Sequence, residues 1–207
     1  IGAIISELTV AGRRCGVGRH CYQGGMRMYS NLSTREITFS AACVALLAVS
    51  AWVTVPFGPV PFTLQTLALV FVLVAMPGRT SILSVGIYVL LGGAGVPLFS
   101  GMRGGLGVLF GPTGGFILGF LLAAVLAAVL RRLMPAGGVV RDVATAVLAI
   151  ACSHAVGVCW LATAGGYSLA AAFAAGSAPF IALDAIKACV GVGLAKAVRT
   201  AIPSLAA

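Results

Sequence analysis

The chain is 207 residues long, 60% hydrophobic and 8% charged, with a formal net charge of +9. Soluble domains carry about 25% charged residues, so these values exclude a soluble enzyme or nucleic-acid-binding domain and indicate an all-α integral membrane protein. Its basic residues lie beside and between apolar runs, where they set orientation in a bilayer. At about 20 apolar residues per span, the stretch from Ile37 to Val198 holds six transmembrane helices and leaves no room for a soluble domain.

Residues 1–30 read as an N-terminal extension, expected to be disordered and cytoplasmic, and either non-native or translated from upstream of Met26. Residues 31–207 form the six-helix transmembrane domain. The extension does not fit a signal peptide, because Arg13 and Arg14 follow the short apolar segment instead of preceding it. Cys15, His20 and Cys21 match no common zinc spacing, so no metal is expected.

Ser33-Thr-Arg-Glu36 is a capping box, and Ile37 to Val55 then crosses the bilayer without a charge. Ala41, Ala45 and Ala48 form a small-residue stripe that another helix can approach closely; internal packing and a partner both fit it. Pro56-Phe-Gly-Pro-Val-Pro61 makes a tight outer connection. Phe62-Thr-Leu-Gln65-Thr66 leads into the second span, ending at Met76, with Gln65 placed to bond a neighbouring helix or a ligand. Pro77-Gly-Arg79 is a turn, and Thr80 to Leu91 is the third span, carrying Tyr88.

From Leu98 to Gly115 the chain is too rich in glycine for a stable helix and too apolar for a solvated loop. It reads as an irregular segment between helices 3 and 4, folded over or into the protein, where unpaired backbone is tolerated. The segment carries Arg103 but lacks the Gly-Lys-Ser/Thr ending of a nucleotide loop. Phe116 to Leu130 is the fourth span, and Arg131, Arg132 and Arg141 flank the connection that follows. Val143 to Ala164 is the fifth, with Ser153, His154, Cys159 and Trp160 in its middle; His154 either shuttles protons or bonds a neighbouring helix. An alanine-rich connection, with room for a short interfacial helix, leads to the sixth span from Pro179 to Val198.

In that last span Asp184 and Lys187 stand three residues apart, on one helix face. Ionisable groups at membrane depth are costly unless paired, solvated or ligand-bound. The pair therefore marks a binding site, or else an ion pair that locks the helix. Six spans place both termini on one side, and eleven of the thirteen basic residues fall there, making that side cytoplasmic. Arg103 and Lys187 are the exceptions, and Asp184 is the one acid in the outer half. The three charges are expected to converge with a local charge of about +1, suited to a small monocarboxylate: arginine grips it bidentately, lysine adds a point charge, and Asp184 orients the lysine.

Four stretches, Val60-Pro-Phe-Thr-Leu-Gln-Thr66, Leu91-Gly-Gly-Ala-Gly-Val-Pro97, the glycine-rich run from Arg103 to Gly115, and Asp184-Ala-Ile-Lys187, resemble the BioY family of biotin-uptake proteins. These are the substrate-capture subunits of energy-coupling factor (ECF) transporters. The resemblance runs in order from about Ser33 to Val198. It implies a six-helix protein of the bacterial cytoplasmic membrane that binds biotin near the outer surface and works with a transmembrane coupling subunit and ATPase subunits. ATP is used by those partners only, so the chain itself is expected to have no cofactor and no catalytic residue. By the resemblance, Arg103, Asp184 and Lys187 hold the biotin carboxylate. Gln65, Tyr88, Ser153, His154 and Thr163 are candidates for the ring, with Phe110 and Trp160 packing on it. Ala41, Ala45 and Ala48 become a docking stripe for the coupling subunit. The competing expectation is a self-sufficient ion-coupled carrier in which Asp184 or His154 binds a proton. A homo-oligomer is left open.

Overall fold

The computed structural model describes residues 33–134 and 138–202. The extension read at residues 1–30 lies outside the described residues. Among the described residues, eight helices and one small hairpin follow in order: α1 (Thr34–Trp52), β1 (Thr54–Val55), β2 (Phe62–Thr63), α2 (Gln65–Ala75), α3 (Gly78–Gly93), α4 (Leu106–Leu109), α5 (Gly114–Leu133), α6 (Val139–Gly165), α7 (Leu169–Gly176) and α8 (Ala178–Ala201). The capping box at the start of α1 is present: Ser33 Oγ accepts from the Glu36 amide at 3.2 Å, and Glu36 Oε2 accepts from the Ser33 amide at 3.0 Å.

Among the described residues, four helices are long and apolar enough to cross a membrane, namely α1, α5, α6 and α8. The second and third spans read from sequence correspond to the shorter α2 and α3, of 11 and 16 residues. At 1.5 Å per residue, α2 is about 16 Å long, roughly half a hydrocarbon core. The sequence before it does not continue the helix. Thr54 and Val55 instead pair antiparallel with Thr63 and Phe62, because the prolines between them cannot extend a helix.

The short helix is also the most enclosed. It packs against α1, α6 and α8, and Leu69, Val70, Val72, Leu73 and Val74 have no exposed surface. The approach of α8 to α2 depends on Gly191, where a Cβ would lie 2.9 Å from the Leu67 carbonyl oxygen and 3.2 Å from Val70 Cγ1. Gly119 does the same between α5 and α6, where a Cβ would come within 2.8 Å of Ser153 Cα. Small residues at these crossings bring the backbones together where lipid gives no hydrophobic drive. They thereby fix where Thr66, His154 and Asp184 stand.

Between α3 and α5 the chain turns around the four-residue helix α4 and is pinned to the end of α3. The Gly105 amide donates to the Gly92 carbonyl at 2.7 Å, and Phe99 pairs with Arg103 through its backbone. The fully buried Phe99 ring lies edge-on to Tyr88 at 5.5 Å and occupies the space a side chain at Gly92 would need. The alanine-rich connection contains α7, capped by Ser168.

At the opposite end of the bundle, Asp142 of α6 pairs with Arg199 of α8. Arg199 also reaches the Val74 carbonyl, and Arg131 donates to the carbonyls of Leu73 and Val74. These cations satisfy the last carbonyls of α2, which have no partner within their own helix. Charges read as orientation signals are here turned inward.

Candidate functional site

The site grows from the first turns of α8. Asp184 and Lys187 are both buried, and Lys187 Nζ donates to Asp184 Oδ1 at 2.7 Å. The same oxygen accepts from Thr66 Oγ1 of α2 at 3.0 Å. The other carboxylate oxygen lies 3.0 Å from His154 Nε2 of α6, and His154 Nδ1 is 2.7 Å from Ser177 Oγ, just before α8. Asp184 is thus bonded from three helices and cannot rotate away from the lysine.

Lys187 is held as firmly. Its Nζ also donates to the Thr63 carbonyl at 2.7 Å and sits over the Phe62 ring, 3.8 Å from the centroid. An ammonium has three N–H donors, so two are used and one remains for a ligand. The hairpin strand β2 supplies both contacts, which is what the break in the second span accomplishes.

These groups line a cleft of about 620 Å³, open solvent at its mouth included. Phe62, Phe99, Phe116, Phe120 and Phe180 form much of its apolar wall; Gln65, Ser100, Thr113 and Ser153 add polar groups. Gln65 Nε2 donates to Tyr88 Oη at 2.6 Å, and Tyr88 donates to the Leu98 carbonyl at 3.1 Å. Small-molecule sites commonly combine such apolar walls with a few fixed polar groups. One end here carries a positive group, and the body of the cleft is aromatic.

Of the residues singled out in the sequence, Asp184, Lys187, His154, Ser153 and Gln65 line this cleft, and Tyr88 supports it from behind through Gln65. Arg103 does not join the other two charges. It is exposed, outside the lining, with Nε donating to the Ser100 carbonyl at 3.2 Å, because the turn at Gly101 and Met102 carries it outward. Trp160 donates to the Gly111 carbonyl at 3.0 Å and stacks loosely on the exposed Phe110, so both brace the segment before α5 away from the cleft. Thr163 is exposed and bonds its own helix at Cys159 and Trp160. The stripe on α1 divides: Ala41 and Ala45 are exposed, whereas Ala48 is buried in the core.

Sequence reasoning missed Thr66, Ser177 and the Thr63 carbonyl, together with the phenylalanine walls. A buried aspartate bonded only to one lysine leaves acceptor capacity unfilled. That shortfall was the available signal for a hydroxyl such as Thr66 beside Gln65.

The sequence pattern of the BioY family matches residues 26–204. A probable biotin transporter BioY of Pyrococcus horikoshii is 34% identical over 165 residues, covering 80% of this chain and 96% of that protein. The biotin transporter BioY of Rhizobium etli is 35% identical over 186 residues, covering 85% of this chain and 99% of the relative. A solved structure, the S-component for biotin from an ECF-type ABC transporter, superposes with a TM-score of 0.75 at 24% identity, over 84% of this chain and 95% of that one. That last likeness is one of fold.

Proposed function

The chain belongs to the BioY family, and on that premise we propose that it captures biotin at the outer face of a membrane for uptake, as the substrate-binding subunit of an ECF-type transporter. The observation that carries this reading is Lys187, fixed by Asp184 and the Thr63 carbonyl, with one N–H left over at the end of an aromatic-walled cleft. Lys187 binds the valerate carboxylate, Asp184 orients the lysine, and the phenylalanine walls take the bicyclic ring and its chain. Gln65, Ser100 and Ser153 stand where a ureido group could be bonded. Arg103, outside the cleft, is left at the rim.

The chain transports and does not catalyse; partner ATPase subunits hydrolyse ATP, and a coupling subunit docks on Ala41 and Ala45. The membrane topology in this reading is six crossings, α2 and α3 being the short ones shielded by their neighbours, with both termini cytoplasmic and the glycine-rich segment covering the outer side. The full-length helices α1, α5, α6 and α8 support a multi-pass protein. The excess of arginine at one end supports the orientation.

A self-sufficient ion-coupled carrier is the second reading, and the bond between His154 and Asp184 favours keeping it. Labelled-biotin uptake in cells decides between the two. The transporter-subunit reading expects uptake to fall to background when every ATPase partner is deleted. Uptake that survives the deletion but collapses with an uncoupler would establish the carrier.

A further inference from the structure

We propose that Tyr88 is a positioning residue that sets which end of the Gln65 amide faces the cleft, so that this part of the site recognises a ligand N–H and not a ligand carbonyl. This inference deepens the biotin-site reading above and rests on it, the ligand donors being the ureido N–H groups.

Tyr88 has one hydroxyl proton, and the Leu98 carbonyl 3.1 Å away can only accept it. The proton is therefore committed to Leu98, and toward Gln65 the tyrosine oxygen offers only lone pairs. The amide atom 2.6 Å from that oxygen must then be the donor, Nε2. A reversed amide would set two acceptors against each other at this distance. Otherwise it would draw the tyrosine proton to itself and strip the Leu98 carbonyl of its donor, and an enclosed polar group left without a partner is costly. Tyr88 has no exposed surface and lies edge-on to the equally buried Phe99, with ring centroids 5.5 Å apart, so its hydroxyl has no room to swing aside.

Tyr88 stands outside the cleft lining, whereas Thr63 and Gln65 belong to it. Nε2 is thus turned back toward the tyrosine, and Oε1 lies on the Thr63 side, 3.4 Å from Thr63 Oγ1. That contact is long for a hydroxyl bond, and an amide oxygen has two lone pairs, so acceptor capacity remains for a ligand. The backbone is fixed as well: Gln65 is the first residue of α2, and its amide donates to Thr63 Oγ1 at 3.3 Å.

The result is a directional contact. Ser100, Thr113 and Ser153 also line the cleft, but a hydroxyl turns to donate or accept as the ligand requires and discriminates little. An amide locked from behind cannot turn. It presents an oxygen to whatever enters, which suits a cyclic urea with N–H on either side of its carbonyl and penalises an analogue that lacks the donor. The selectivity is therefore supplied from α3 and the segment after it, by two groups that do not touch the ligand.

Titration calorimetry on the purified full chain tests this with biotin and with biotin methylated on both ureido nitrogens. Tyr88→Phe keeps the ring and is expected to weaken biotin binding by about fivefold, the scale of one hydrogen bond. Gln65→Met is expected to weaken it by a similar factor, and adding Tyr88→Phe to Gln65→Met is expected to cost less than about twofold more, because the two residues act as one unit. Equal losses from Tyr88→Phe in both backgrounds would overturn the inference and assign the tyrosine to the fold alone; an unchanged affinity in Tyr88→Phe would overturn it too. The dimethylated ligand keeps the test open should Tyr88→Phe not fold. It is expected to bind the wild-type chain at least about tenfold more weakly than biotin, and equal affinities for the two ligands would overturn the inference while leaving the Lys187 carboxylate site standing. Failure of the wild-type chain to bind biotin at all would remove the site reading and this inference together.

Discussion

Thr66 isolates one contact from its surroundings. Its hydroxyl donates to the same Asp184 oxygen that takes Lys187, and valine reproduces its shape without the donor. A hydrogen bond to a charged acceptor contributes about 1.5–3 kcal/mol, so Thr66→Val is expected to weaken biotin binding by about tenfold, with Thr66→Ser within about threefold of the wild type. Calorimetry measures both; an unchanged affinity for the valine variant would mean that Lys187 and His154 alone fix the carboxylate. The pair Asp184 and Lys187 was legible in the sequence because its three-residue spacing is a local, helical relation. Its partners were not, since Thr66 lies 118 residues and His154 30 residues from Asp184, and only packing brings them together. Arg103 shows the opposite error. Charge counting places it on the outer side, but a single positive-φ turn decides which way it points.

The same limit appears in the helices. Periodicity puts Ala41, Ala45 and Ala48 on one stripe of α1, yet the buried arc widens toward the hairpin end, where Leu47, Ala48, Ser50 and Ala51 are all enclosed. Leucine at Ala41 and Ala45 is therefore expected to abolish co-purification with a coupling subunit while sparing biotin binding. Leucine at Ala48 is expected to overpack the core and lower stability by about 1–3 kcal/mol, read as a lower melting temperature in detergent. A loss of stability from the Ala45 change, with partner binding intact, would assign that face to internal packing. Apolar runs located the cores of the helices well, including α5, α6 and α8, because hydropathy reports burial in lipid directly. They overextended α2 at its start, where Phe62 and Thr63 pair in a strand after the prolines and the helix begins at Gln65.

For the molecule as a whole, α2 is the element on which both ends converge. Its first turn holds Asp184 of α8 through Thr66, and its last carbonyls take Arg199 of α8 and Arg131 of α5. The positive-inside pattern grouped the basic residues on one side of the spans without distinguishing those that face water from those that enter the bundle, because both kinds lie at the same depth. The membrane class, the family and the key ion pair could all be read from the sequence; the internal bonding of the charges needed three dimensions. The account stands or falls on Lys187 as the carboxylate anchor, and the most direct measurement is a labelled-biotin titration of the purified full chain beside its Lys187→Ala variant. The expected result is saturable one-to-one binding, weakened by at least about tenfold in a variant that still elutes as a folded protein. Equal affinities in the two proteins would contradict it.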